Sequence, residues 1–127
     1  MRKIVRFFPY YAAAFMFFSG CSNGSASDVT TAQAEEMIKN NKDLVIIDIR
    51  TKDEFNSGHI PNAINIDYYD RNFTNEISKL DKNKKYLIYC RSGRRSGNAM
   101  DIFKDLGFNN AYNMLGGMIR WRGQVEK

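Results

Sequence analysis

The chain has 127 residues and a formal net charge of +5, with two cysteines and a single histidine. This length favours one domain over several, and so few cysteines exclude a disulfide-rich scaffold. Three of the cations lie in the first twenty residues, so the basic composition is poor evidence for nucleic-acid binding.

The N-terminus has the layout of a bacterial export signal. Arg2, Lys3 and Arg6 form a positive region without acids, and a short apolar run follows at residues 7–18. A helix of that length spans roughly 18 Å, well short of the ~30 Å hydrocarbon core, so a permanent transmembrane helix is the weaker interpretation. Removal of residues 1–20 takes away those three cations and lowers the net charge from +5 to +2.

Residues 18–21 read Phe-Ser-Gly-Cys and resemble the lipobox of bacterial lipoproteins. The resemblance implies a signal peptide at residues 1–20, cut before Cys21, and a diacylglycerol on the Cys21 thiol. It therefore implies an exported protein, periplasmic or at the cell surface, that its lipid anchors to a membrane. An ordinary secretory signal or an uncleaved anchor is the alternative. With Cys21 lipidated, Cys90 is the remaining free thiol, which is unusual in an oxidising compartment and favours a reactive role.

Residues 21–28 are predicted to form the lipidated cysteine and a flexible Ser/Gly/Asn-rich linker, with a single domain at 29–127. Thr30 or Thr31 can cap a helix that runs to about Lys39. The run at residues 44–49 is short and rich in Ile and Val, which predicts a buried strand. A capping-box pattern at residues 51–54 opens a short helix that Gly58 ends.

The later segments continue the alternation of strands and helices. The pattern predicts strands at 63–66, 86–89 and 111–113 and helices at 69–80, 96–106 and 118–122. Such alternation indicates an α/β domain with a mainly parallel central sheet flanked by helices. Reactive groups in such sheets lie beyond the carboxyl ends of the strands, and Cys90 directly follows the strand at 86–89.

The segment after that strand carries the strongest chemical signal, and it reads Cys90-Arg91-Ser92-Gly93-Arg94-Arg95-Ser96. A helix N-terminus, inward-pointing amides and three arginines would all favour the thiolate, which is the nucleophilic form of cysteine. Gly93 permits a backbone conformation that a tight anion cradle requires. The alternative is an inert, buried thiol. Three cations and a glycine next to the cysteine favour the reactive interpretation.

Several motifs in this order resemble the rhodanese-like domain family. Residues 48–50, 54–55 and 58–66 match its first signature, residues 89–96 match its active-site loop, and residues 107–108 and 116–117 with Trp121 match its closing segment. The resemblance covers residues 29–125 and is closest to the small, exported single-domain members. It implies a three-layer rhodanese-like fold around the parallel sheet.

The resemblance also implies a sulfurtransferase of the thiosulfate:cyanide type without a cofactor or metal. Cys90 would take sulfane sulfur from thiosulfate or polysulfide as a persulfide and pass it to cyanide or a thiol. Arg95 occupies the family's loop-closing position. The implied anion cradle comprises Arg91, Ser92, Gly93, Arg94, Arg95 and Ser96. Asp48 and Arg50 would support it. Because a charged residue at the end of a buried strand needs partners, Asp48 is expected to accept hydrogen bonds from loop or turn backbone, with Arg50 nearby.

Two other functions compete with this one. Cysteine-dependent phosphatases and arsenate reductases also use a cradled thiolate, but the tyrosine phosphatase pattern has five residues between Cys and Arg, whereas four separate Cys90 from Arg95. A non-enzymatic sulfide-binding module is the other alternative. His59 is expected to be structural, and Tyr68, Tyr69 and Trp121 are expected to pack rather than to stack on bases. The sequence indicates no oligomeric state.

Overall fold

The computed structural model describes residues 27–127, so the predicted signal peptide, Cys21 and residues 22–26 of the predicted linker lie outside the described residues. The strands of the described part form one sheet in the order β1-β5-β4-β2-β3. They are β1 Ser27–Val29, β2 Val45–Asp48, β3 Ile64–Asn65, β4 Lys85–Tyr89 and β5 Asn110–Met114. Every pairing within this sheet is parallel, which confirms the predicted α/β class.

Helices cover both faces of the sheet. They are α1 Thr31–Asn40, α2 Lys52–Asn56, α3 Phe73–Ser78, α4 Arg94–Asp105 and α5 Gly117–Arg120. Thr30 and Thr51 cap α1 and α2 with complete capping boxes, as their sequence patterns predict. Within residues 27–127, none of the helices has the length and apolar character of a membrane span.

The alternation of side chains along β4 divides the core into two layers. Tyr86, Ile88 and Cys90 face one cluster, which contains Phe73 and Phe103 of α3 and α4. The other cluster includes residues from the α1 side and the turn after α2, together with the opposite face of β4. Its buried members are Val29, Ala34, Ile46, Ile60, Ala63, Leu87, Tyr89 and Met114. The predicted three-layer arrangement is therefore confirmed.

Several predicted boundaries differ from those of the structure. The prediction places residues 27 and 28 in the linker, but they belong to β1, which pairs with β5 from Tyr112 to Met114. Helix α3 begins at Phe73 rather than at Tyr69, because the Asp67 and Asp70 carboxylates accept hydrogen bonds from backbone amides two residues on, at 2.9 Å and 2.8 Å, and close turns instead. Helix α4 begins at Arg94 rather than at Ser96, directly after Gly93.

The fold brings three loops together at the carboxyl edge of the sheet. Strand β4 is central, and the chain leaves it toward β5 on one side, whereas β2 leads toward β3 on the other. This divergence makes the crevice between β4 and β2 the expected location of a binding site. The loops after β2, β4 and β5 all end beside it.

Candidate active site

The sulfur of Cys90 lies inside a ring of hydrogen-bond donors from the loop that follows it. The Gly93 amide donates to Sγ at 3.1 Å and the Ser96 amide at 3.5 Å. The Ser96 hydroxyl lies 3.4 Å from Sγ. Because Ser96 belongs to the first turn of α4, its free amide and the helix dipole both point at the sulfur. The loop thus forms a cradle suited to an anionic sulfur.

This cradle decides the ionisation of the thiol. Burial raises the pKa of Cys90, since Cys90 is completely buried. Hydrogen bonds from the Ser96 hydroxyl and from the amides of Ser96, Gly93 and Ser92 lower it by more. The pKa of the Cys90 thiol therefore lies below its ordinary value, as the loop sequence indicates. The leading causes of this lowering are hydrogen bonds rather than the arginine charges.

Helix α5, which follows β5, supports the cradle through the carbonyl groups of the Cys90 loop. The Met118 amide donates to the Cys90 carbonyl at 3.0 Å, and the Ile119 amide donates to the Arg91 carbonyl at 3.0 Å. Gly117 makes this approach possible, because it has a φ of +53° and a Cβ built on it would lie 2.3 Å from the Cys90 carbonyl oxygen. Gly117 thus lies directly against the backbone of the Cys90 loop.

Arg95 ties the cradle to the loop after β2. Its two terminal nitrogens donate to the two carboxylate oxygens of Glu54 at 2.8 Å and 3.0 Å. The hydrogen bonds from Arg95 are the main cause that lowers the pKa of Glu54 to about 2. The pair therefore contributes stability above the ordinary carboxyl pKa of 4.5, and that contribution is lost as the pH falls toward about 2. Arg95, a predicted member of the anion cradle, is thus paired with Glu54, and its role toward a donor stays a prediction.

The remaining cradle residues point to solvent. Arg91, Ser92 and Arg94 are exposed above the buried sulfur, and Gly93 adopts the left-handed backbone with a φ of +94°. Within residues 27–127, neither Arg91 nor Arg94 takes part in an ion pair. Cys90 itself is fully buried, so the solvent-exposed surface of the loop belongs to its other residues.

Asp48 and Arg50 form a buried pair beneath the crevice. The Asp48 carboxylate accepts the Arg50 backbone amide at 2.9 Å and the Arg50 Nη2 at 2.7 Å. The same Nη2 donates to the Gly58 carbonyl at 2.6 Å. Burial works against the charge of Arg50, but the bonds to Asp48 raise the pKa of the guanidinium above its ordinary value. The pair thus fixes the turn that joins β2 to α2.

His59 is engaged away from the thiol. Its Nδ1 lies 2.9 Å from the Phe55 carbonyl, and its ring stacks on Phe55 with a centroid distance of 3.7 Å. Its Nε2 lies 3.4 Å from the Glu126 carboxylate. These contacts fit the structural role that the sequence predicts for this histidine.

Sequence reasoning missed two parts of the site. The Met118 and Ile119 amides that bind the loop carbonyls leave no signal in residue type, because any residue except proline has an amide. Tyr69 was predicted to pack, yet it is 68% exposed and lies with its ring 5.5 Å from the guanidinium of Arg95. Tyr68 does pack, with its ring against that of Phe73.

Comparisons with known proteins agree with this geometry. The family model of the rhodanese-like domain matches residues 30–124. YtwF of Bacillus subtilis (strain 168), which carries a provisional sulfurtransferase name, is 35% identical over 99 residues that cover 78% of this chain and 93% of YtwF. The crystal structure of a rhodanese-like domain protein from Staphylococcus aureus aligns with a TM-score of 0.70 and 30% identity, over 79% of this chain and 96% of that one.

The domain also matches parts of longer proteins. The adenylyltransferase and sulfurtransferase uba4 of Ogataea parapolymorpha is 32% identical over 83 residues, which cover 64% of this chain but only 21% of that protein.

Proposed function

This chain belongs to the rhodanese-like domain family, and from that premise we propose that it is a sulfurtransferase that carries sulfane sulfur as a persulfide on Cys90. The observation that carries the proposal is the ring of amides and the Ser96 hydroxyl around Sγ. It lowers the pKa of the thiol, which favours the thiolate, and the same donors can stabilise an anionic sulfur bound to Cys90. The sulfurtransferase names of its relatives support the same reaction class.

In the first half-reaction the Cys90 thiolate attacks the outer sulfur of a donor such as thiosulfate. A new S–S bond forms as the donor's own S–S bond breaks, and sulfite leaves with the electron pair. Arg91 and Arg94 are exposed and unpaired within the described residues, so they can attract the anionic donor. A guanidinium fork also matches sulfonate-like oxygens. The backbone amides of the cradle then stabilise the persulfide that remains on Cys90.

In the second half-reaction an acceptor thiolate or cyanide attacks the outer sulfur of the persulfide. The S–S bond to Cys90 breaks, and Cys90 leaves as the thiolate that the cradle already stabilises. Cys90 attacks in the first half-reaction and leaves in the second as the same stabilised thiolate, so the covalent intermediate divides one transfer into two easier steps. The reaction requires no cofactor.

Incubation with thiosulfate is expected to add about 32 mass units to the full chain at Cys90, and cyanide should remove them, because one sulfur atom is transferred in each direction. The rate of loading should rise with pH and level off below pH 9, the ordinary thiol value, since the pKa of Cys90 is lowered. Intact-mass spectrometry measures both. The proposal fails if neither thiosulfate nor polysulfide adds sulfur, and Cys90-dependent hydrolysis of an aryl phosphate would favour the phosphatase instead.

The chain is also proposed to be exported and anchored to a membrane by a lipid on Cys21, because residues 1–21 have the layout of a lipoprotein signal. Replacing this cysteine in a Cys21→Ala variant is expected to release the protein from membranes. Membrane fractionation of a bacterial host measures the effect. A Cys21→Ala protein that stays fully in the membrane fraction would point to an uncleaved signal helix.

A further inference from the structure

Apolar side chains are exposed around the mouth of the cradle. Large exposed apolar residues of the described part include Ile64 on the edge strand β3, Val125, and three that flank the Cys90 loop: Tyr69, Leu115 and Ile119. Ile119 is 61% exposed while its amide binds the Arg91 carbonyl. Leu115 is 44% exposed, and its Cα lies 3.7 Å from the position of a Cβ built on Gly93.

Arginines lie between these apolar side chains. Arg91, Arg94 and Arg120 are exposed, and within residues 27–127 none of them takes part in an ion pair. The methylene stem of Arg120 lies so close to Gly116 that a Cβ there would meet it at 2.4 Å. A cavity of about 360 Å³ opens between Ser92, Leu115 and Arg120, directly beside the loop. We call these three arginines, with Tyr69, Leu115 and Ile119, the rim surface.

Small donors and acceptors do not account for the rim surface. Thiosulfate and cyanide are hydrophilic anions, so guanidinium groups and amides can bind them without apolar contacts. Exposed apolar side chains clustered at one site and rimmed by charge are typical of protein interaction surfaces. Since the cationic groups of the rim surface are unpaired, they fit a partner with acidic side chains.

We propose that the rim surface docks a protein segment in which the acceptor cysteine is flanked by acidic and apolar side chains. The inference rests on the proposed function and names the class of acceptor for its second half-reaction. An apolar side chain of the segment inserts beside Leu115 and Ile119, and its carboxylates pair with Arg91, Arg94 and Arg120. Its cysteine thiolate attacks the outer sulfur of the persulfide, and Cys90 leaves as the thiolate.

Two synthetic peptides test this acceptor class on the full chain. Each has a central cysteine, flanked by Glu and Leu in one peptide and by Lys and Ser in the other. After loading with thiosulfate, transfer to each peptide is followed by mass spectrometry, and each rate is divided by that peptide's measured thiolate fraction. The acidic, apolar peptide is expected to react about tenfold faster, and the difference should shrink in 0.5 M salt because surface charges are screened.

Matched variants locate the effect on the molecule. In Ile119→Ser the preference for the acidic, apolar peptide over free cysteine should fall several-fold. In Ile64→Ser, which removes an exposed apolar side chain on the edge strand β3, the preference should persist. An Arg120→Gln variant should likewise lower, several-fold, the preference for the acidic, apolar peptide over the basic one.

The outcomes separate this inference from the proposed function. If the chain takes up no sulfur, the proposed function fails. If it takes up sulfur but both peptides react equally per thiolate, the docking proposal alone is wrong. A dimer that Ile119→Ser dissociates in sedimentation would assign the rim surface to a second copy. If the chain binds phosphatidylglycerol vesicles, and Ile119→Ser abolishes that binding but leaves the peptide preference unchanged, the rim surface would be assigned to a bilayer. Either of these two results overturns the proposal.

Discussion

The Cys90→Ser variant is expected to lose sulfur transfer by at least about a thousandfold and to keep its fold, because a serine oxygen cannot form the S–S bond of a persulfide. Serine is slightly smaller than cysteine and can accept the same hydrogen bonds from the Gly93 amide and from Ser96. The rate of thiocyanate formation from thiosulfate and cyanide measures activity, and thermal unfolding measures the integrity of the fold.

The second cysteine of the chain provides the matched control. Cys21 lies outside the active-site loop, so a Cys21→Ala variant should still gain one sulfur from thiosulfate. Sulfur uptake by Cys90→Ser at the normal rate would show that Cys90 is not the nucleophile. Loss of transfer together with loss of the thermal transition would show that the cysteine is needed for the fold, and the activity result would then be uninformative about chemistry.

The largest expected loss of stability follows from Asp48→Ala. Asp48 is fully buried and accepts hydrogen bonds from the amide and the guanidinium of Arg50. Without this carboxylate, the buried guanidinium of Arg50 keeps its hydrogen bond to the Gly58 carbonyl but loses its ion pair. Breaking such a pair from one side costs about 3–5 kcal/mol. The free energy of unfolding in urea is therefore expected to fall by that amount.

An exposed ion pair gives the comparison. At the C-terminal end of α3, the Lys79 Nζ lies 3.1 Å from a carboxylate oxygen of Glu76, and both side chains are more than half exposed. Glu76→Ala should therefore lower the free energy of unfolding by less than about 1 kcal/mol. Asp48→Asn keeps the size and one acceptor oxygen, so it should rank between the two and remains measurable if Asp48→Ala does not fold. A loss for Asp48→Ala no larger than that for Glu76→Ala would contradict the assigned role of the pair.

Three contacts hold the cradle in shape. Arg95 joins it to Glu54 after β2, Ser96 closes it from α4, and Gly117 allows the turn after β5 to bind its carbonyls. A thiolate in such a preorganised ring needs no reorganisation of the surrounding dipoles when it forms or leaves. The parallel sheet is thus part of the chemistry, since it brings the ends of three strands to one point.

The sequence by itself determined the fold class and the place of the candidate nucleophile at the end of a strand. Hydrophobic runs of strand length alternate with amphipathic segments of helix length, and this periodicity depends only on the order of the residues. The position of Cys90 at the end of β4 followed from the same pattern. The glycine and the three arginines next to Cys90 indicated an anion cradle because their chemistry is visible in the letters alone.

Tertiary structure decided everything that depends on groups distant in the chain. Ser27 and Asp28 have no strand pattern and become strand through pairing with β5. Arg95 pairs with Glu54, 41 positions away, and residue type alone does not show which cation that carboxylate meets. Tyr69 is exposed because turns at Asp67 and Asp70 make α3 begin at Phe73, after this tyrosine. Backbone amides and through-space pairings carry no signature in residue type, so only the folded chain reveals which atoms meet around the sulfur.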